Sequence, residues 1–500
     1  MIKTSTRKKM HRWFGLALCL FLINFCLSGI ILNHSQYFSK FSVPRTLLPG
    51  YLQLKQWNQG LLRGTVRLGN DVLIYGSGGV WRSDTLGRSV TDYNRGLPEA
   101  AGERNVRAMC LSGNGVAYAV TDDSAYQLRA GVWHALHLPD NSERLVDVAA
   151  HGKQIVVLGR SFYWNSTDGG NHFTRYRLRP ASNSTGKVSL MRTVWLLHSG
   201  ALFGTAGKLV GDAVAVVLLV ISVTGVWFFF ARKVHAGNTQ LKRLWHIHRK
   251  LGRATIVLTV LITLTGWLLR PPGLIAIVYG KVKPVPFSVF DNNNTFTDQL
   301  RRIAYDDVEH EWLLYTSSGF YHLKTLGSVP QPLYNMPKVS FMGLTAFKQV
   351  ERSRWLVGSF DGLYLWNRHP ELVPNPETGM MSEPVEPLQK DVMLAGFSNN
   401  FAHPVLADYY SGSIFPKMPA ELSKLPMSLP SVCLEVHTGR IYTFLGGSKN
   451  LLYICLIGLA ILWCLYTGYY RPRRLKKETP KIKKQRKRLR LETEPDDNAE

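Results

Sequence analysis

Two hydrophobic patterns divide the 500-residue chain. The first is the long, uninterrupted apolar run, at 13–33, 209–231, 254–271 and 451–470. Each approaches the roughly 20 residues of helix that a bilayer requires, so four transmembrane helices are predicted. The third is the shortest and needs Leu251, or the segment after Pro272, to complete its crossing. A basic stretch precedes the first run, as in a signal peptide. That run is too long for a signal core and no small-x-small cleavage site follows it, which predicts a retained helix.

The second pattern fills 34–207 and 272–450. It is a short apolar strand, a Gly/Ser turn and an aromatic strand, as in Val72-Leu73-Ile74-Tyr75-Gly76-Ser77-Gly78-Gly79-Val80-Trp81. It recurs from Val116, Ile155, Trp312 and Trp355, at spacings of 44, 39 and 43 residues within each segment. Periods of that size belong to four-stranded propeller blades. Neither segment holds a complete set, so both are expected to contribute to one composite ring of about six to eight blades. Two smaller open sheets, with edges to protect, are the alternative. Ser166-Thr167-Asp168-Gly169-Gly170-Asn171-His172-Phe173 looks like an Asp-box, in which the carboxylate holds a hairpin turn; that structural role is preferred over a catalytic one.

Charge orients this plan. The chain carries 60 Lys/Arg against 34 Asp/Glu. Residues 1–12, 232–253 and 471–500 hold 24 of the basic residues and six acids, hence +18 of the net +26. This concentration excludes a disordered chain and a uniformly basic nucleic-acid binder. With four spans the three basic segments share one side, so both termini are expected in the cytoplasm and both β segments outside it. The tail is read as an orientation signal drawn to anionic lipid, with no nucleic-acid role. Six Cys, four of them in spans, exclude a disulfide scaffold. Cys110 and Cys433 alone fall in the outer segments, and whether they pair is left open.

The helical part is duplicated. His11-Arg12-Trp13-Phe14-Gly15 with Ser28-Gly29 matches His248-Arg249-Lys250-Leu251-Gly252 with Thr265-Gly266 at an offset of 237. Leu197-His198-Ser199-Gly200 matches Val436-His437-Thr438-Gly439 at 239, and the spans that follow end in Thr224-Gly225 and Thr467-Gly468. Both halves run the same way, which makes this a parallel repeat about the membrane normal.

These motifs, an His-Arg-x-x-Gly entry, a Ser/Thr-Gly exit and a Leu/Val-His-Ser/Thr-Gly before the next helix, resemble the PepSY-associated transmembrane proteins of bacterial inner membranes. Some members are similar to two-haem b-type cytochromes that reduce ferric siderophores on the periplasmic side. The resemblance covers the spans and their flanks; no clear PepSY module is visible in the β segments. It implies an inner-membrane protein with periplasmic loops and two b-type haems. A ferric-chelate reductase would be an oxidoreductase.

Haem iron inside a bilayer needs neutral imidazoles from facing helices, and two axial His suit electron transfer. The duplication offers His11 with His248 on the basic side and His198 with His437 on the outer side. His34 and His246 are alternates. His198 precedes Arg232 by 34 residues, about 51 Å of continuous helix, against a core of about 30 Å. Gly204-Thr205-Ala206-Gly207 must therefore break the helix, or His198 stands too high; His437 poses the same problem. Asp212, charged within a span, is read as either a proton path or a carboxylate reaching the head groups, with the latter preferred. No nucleotide-binding loop or hydrolase motif is present. Electrons would then come from quinol or a protein donor and pass to a periplasmic ferric chelate or protein. A non-catalytic, membrane-anchored propeller that recruits a partner is the alternative.

Overall fold

A computed structural model describes residues 4–231, 238–351, 353–369, 384–443 and 449–469. The basic tail, residues 232–237 with His235, and the first three residues lie outside that set. The helical part consists of α1 (Thr4–Asn33), α2 (Leu190–His198), α3 (Gly204–Ala231), α4 (Asn238–Ala254), α5 (Ile256–Leu268), α6 (Leu429–His437) and α7 (Lys449–Tyr469). Among the described residues, three apolar helical stretches are long enough to cross a membrane: Lys9–Asn33, Ala201–Ala231 and Leu452–Tyr469. A fourth crossing is available if α4 and α5 act together; they meet at a 56° bend. The bend falls at Thr255, whose hydroxyl bonds back to the Leu251 carbonyl at 3.1 Å. Such back-bonding bends helices.

The helix break that His198 requires is present but lies earlier than expected: Thr205-Ala206-Gly207 are inside α3, and the chain turns just before it. Gly200 and Gly204 adopt φ of +77° and +62°, and the chain turns through Ala201–Phe203 before α3 begins. Side chains at such angles are strained, which is why glycine stands there. Gly439 repeats the device after His437, with φ of +74°.

The duplication extends into packing. α1 packs on α3, α6 and α7, while α5 packs on α2 and α7 and α4 packs on α3. Two short strand pairs tie the halves crosswise: Ser42–Val43 with Met427–Ser428, and Val188–Ser189 with Lys281–Val282. Each pair joins one strand from each half, and the two pairs are related by an offset of 239.

Among the remaining described residues there are six antiparallel sheets, five of four strands and one of two. Their first strands are Gly64–Leu68, Ala108–Leu111, Leu145–His151, Leu300–Asp306, Leu344–Glu351 and Leu394–Ser398. The strand–turn–strand signature read from the sequence is the second and third strand of the five larger sheets. The sixth, 394–408, lacks that signature. It shares another: Leu145, Leu300, Leu344 and Leu394 each open a strand and are followed at once by a bulge. An extra residue there sharpens the twist and turns the strand into its neighbour.

First strands touch in chain order, and the sixth returns to the first. Apolar cores form where the two long segments meet. Val156, Leu158 and Tyr163 pack with Leu300, Trp312 and Leu314 on one side. Val72, Ile74 and Trp81 pack with Phe401, Val405 and Leu422 on the other. Thr65 and Ser398 hydroxyls meet at 2.6 Å across that second seam. Both segments therefore build one β body.

The Asp-box holds its turn as expected. Asp168 accepts from the Asn171 and His172 amides at 3.0 and 3.1 Å and from the Ser166 hydroxyl at 2.7 Å. Bonds from Ser166, then from His172, hold its carboxyl well below the usual range. Cys110 sits in the second sheet and Cys433 in α6, and neither is in a disulfide.

Candidate functional site

Each histidine of the two predicted pairs rests on a Ser/Thr-Gly of the opposite half. His437 Nδ1 lies 2.9 Å from Ser28 Oγ on α1. His198 Nδ1 lies 3.1 Å from Thr265 Oγ1 and 3.0 Å from the Ile262 carbonyl on α5. On the other end of the bundle, His11 Nδ1 lies 3.1 Å from both Thr467 Oγ1 and the Cys464 carbonyl on α7. His248 Nδ1 lies 3.0 Å from Thr224 Oγ1 on α3.

The direction of these bonds follows from hydroxyl chemistry. A Ser or Thr hydroxyl has one hydrogen. All four already donate it to the carbonyl one turn earlier, Ser28 to Asn24, Thr224 to Val220, Thr265 to Leu261 and Thr467 to Trp463. The hydroxyl can therefore only accept, and the imidazole must donate from Nδ1. That assigns the tautomer: the hydrogen is on Nδ1 and the lone pair on Nε2. No protein group bonds Nε2 of these four rings among the described residues. A ligating His is oriented in this way, by a bond from its other nitrogen.

The adjoining glycine makes room for the ring. A Cβ on Gly266 or Gly468 would stand 3.1 Å from Cε1 of His198 or His11. On Gly29 and Gly225 the corresponding distances to His437 and His248 are 3.5 and 3.8 Å. Phe25 and Phe228 edge the rings of His437 and His248 at 5.5 and 5.9 Å.

His198 and His437 come together at the sheet-side end of the helices. The His198 and His437 ring centroids are 6.1 Å apart at 72°. Both rings are held between the helices with Nε2 unbonded among the described residues, so one group bound there could take a nitrogen from each half. His11 and His248 lie within electrostatic reach of each other at the far end. Seventeen residues of α1 separate His11 from Ser28, about 25 Å along the helix axis. The two pairs thus stand near opposite faces of a bilayer.

The alternates are used differently. His34 Nε2 is 2.7 Å from Asp212 Oδ2, so that nitrogen is already engaged. His246 is exposed, two residues from His248 and so near the opposite side of α4. In the sequence the Ser/Thr-Gly motifs mark helix ends; their role as seats for the imidazoles follows only from the helix pairing.

Both sheet-side helices, α2 and α6, are also tied to the β segments, α2 by an ion pair and α6 by a hydrogen bond. Asp298 receives Arg160 and Arg192, the latter from α2. Glu435 of α6 pairs with Arg440 and accepts from the Tyr51 hydroxyl at 2.9 Å.

Among solved structures, similarity is to the extracellular domain of BT4673 from B. thetaiotaomicron, described as part of a hybrid two component system, at 9% identity and a TM-score of 0.34. That match covers 71% of this chain and 31% of the other, so the chain spans about a third of its length. A catalytically inactive virginiamycin B lyase from Staphylococcus aureus matches at 8% identity and 0.32, covering 72% and 95%. YCF48 bound to D1 peptide matches at 8% and 0.26, covering 63% and 80%. No curated protein matches the chain. The PepSY-associated TM region matches residues 8–471. With nearly its whole length inside that match, the chain belongs to the PepSY-associated TM family, a multi-pass membrane protein with a β-rich domain.

Proposed function

We propose that the protein carries electrons across the bacterial inner membrane through two b-type haems, each held by one histidine from each half. The observation that carries this reading is the common tautomer: four imidazoles, seated by four equivalent hydroxyls, with Nε2 left as a ligand. His198 and His437 would hold the sheet-side group, and His11 and His248 the other. Haem held by imidazoles would supply one-electron transfer. The protein's residues do the rest: hydroxyls fix the ring planes, glycines admit the rings, and surrounding apolar helices exclude water.

In the same reading the β body is a six-bladed composite propeller, its sixth blade reduced to two strands. It lies in the periplasm with both termini in the cytoplasm. Supporting this are the contact order of the first strands and the basic segments at the opposite ends of the helices. The acceptor is a periplasmic ferric chelate, which would make the protein a ferric-chelate reductase, or a periplasmic protein.

Purified protein should show a reduced b-type spectrum, and His248→Ala should lose about half of the haem. Reporter fusions after 240 and at the C-terminus should read cytoplasmic, and those near 120 and 360 external. Wild type that binds no haem under ample supply would leave the anchored, non-catalytic binding body as the account.

A further inference from the structure

The bulges that open the first strands place arginine where those strands meet. In the first sheet the Arg63 amide bonds the carbonyl of Tyr75, the residue paired with Gly64. In the second the Arg107 amide bonds the carbonyl of Val120, the residue paired with Ala108. Two residues thus oppose one, as they do at Arg301 in the fourth sheet. The extra residue of a bulge is left unpaired and its side chain is re-aimed, a device found beside active sites.

The side chains gathered there hold more donors than the protein satisfies. Arg107 and Arg144 share Asp122, and Arg302 reaches Asp147 at 3.2 Å. Asp147 is filled further by the Val148 and Ile303 amides at 3.0 and 2.8 Å. Arg63 pairs with no carboxylate among the described residues. Its Nη1 donates to the Asn105 side-chain oxygen at 2.6 Å and to the Val106 carbonyl at 2.7 Å. A guanidinium has five N–H groups. Among the described residues nothing accepts from Nε or Nη2 of Arg63 or of Arg302.

A neutral donor completes the cluster. The Tyr75 hydroxyl has no hydrogen-bond partner among the described residues, and it lies over Gly64, where a Cβ would stand 2.5 Å from it. Tyr75 is within electrostatic reach of both Arg302 and Arg63, and all three side chains are half-buried. Burial, then the neighbouring charge of Arg107, pushes the Arg63 guanidinium down to about 9. A cation so placed lacks a counter-ion. The cluster stands on the helix side of the β body: Tyr409 is within electrostatic reach of Arg63 and of the Glu435–Arg440 pair at the end of α6.

We infer that this cluster binds a multiply charged oxyanion, a small polycarboxylate or a phosphate, between Arg63, Arg302 and the Tyr75 hydroxyl. The Nε–Nη2 edge of a guanidinium matches two oxygens of one carboxylate or phosphate. Two such edges, one from the first sheet and one from the fourth, call for more than a single negative charge. Neither haem nor electron transfer enters this assignment.

The test uses the full-length protein in phosphatidylcholine nanodiscs, which carry no anionic lipid. Citrate and phosphate are titrated calorimetrically in chloride buffer of matched ionic strength. Wild type should bind one equivalent saturably; tighter citrate assigns a polycarboxylate, and tighter phosphate the smaller anion. Arg63→Gln should weaken the preferred anion at least about tenfold, the worth of a hydrogen bond to a charged group. Tyr75→Phe should weaken it several-fold, and Arg88→Gln, which removes an exposed arginine of the same sheet, should leave it unchanged. Wild type that binds neither anion overturns the site, as does an equal loss from Arg88→Gln, which would mean net charge alone. Should Arg63→Gln melt early without anion, Tyr75→Phe decides, since its hydroxyl bonds no described residue: wild-type affinity in that variant overturns the site.

Discussion

His198 and His437 face each other at 6.1 Å although 239 residues separate them, because each is the last residue of a short helix seated on the other half of the repeat. His198 rests on Thr265 of α5 and His437 on Ser28 of α1. The exchange makes the pair depend on both halves at once.

The glycines beside these seats should respond in a graded way. Gly266→Ala and Gly468→Ala bring a methyl within 3.1 Å of an imidazole carbon, closer than most real contacts, so the ring must shift. Gly225→Ala, at 3.8 Å, is ordinary contact and should be tolerated. Haem content and the reduced spectrum of the purified variants are the measurement. Equal loss from Gly225→Ala and Gly266→Ala would contradict the seat geometry.

Arg368 pairs with both Asp306 and Glu311, and its side chain is only 7% exposed beside two carboxylates at 0% and 9%. It joins the fourth sheet to the fifth. Arg368→Met would leave buried Asp306 without its cation and Glu311 with only His322, a loss of about 3–5 kcal/mol. Thermal or denaturant unfolding followed by the β signal should show this fall. A change below about 1 kcal/mol, the worth of an exposed pair, would mean that solvent reaches the site.

Asp298 predicts a pH dependence. Burial pushes its carboxyl up, but Arg160, Arg192 and Arg301 pull it down further, and the net position is below the ordinary carboxylate value. A carboxyl lowered on folding contributes stability that is fully present above its unfolded value, about 3.9. That contribution is lost as pH falls through the lower, folded value. Asp298→Asn should therefore be less stable than wild type at pH 7, and the difference should shrink as the pH drops below about 4. Paired melting curves across that range check it; a gap that widens on acidification would reverse the sign argued here.

Local pattern carried much of this protein. The spans, the charge asymmetry, the duplication and the four paired histidines are legible because a bilayer demands long apolar helices and a repeat leaves equal offsets. Strands two and three of five sheets are equally plain, since their Gly/Ser turns and aromatics lie close together in the chain. The sixth sheet, 394–408, was not, because its two strands carry no such turn and owe their place to Thr65 and the core around Trp81. What only tertiary structure decided is who meets whom. Ser28-Gly29 ends a helix in the sequence and seats His437 in the fold; His34 reads as a spare ligand and instead holds Asp212. Offsets within a chain state which residues are equivalent, whereas contact across a bundle depends on the crossing and depth of helices. Those are set by side-chain packing over the whole interface, so no single motif records them.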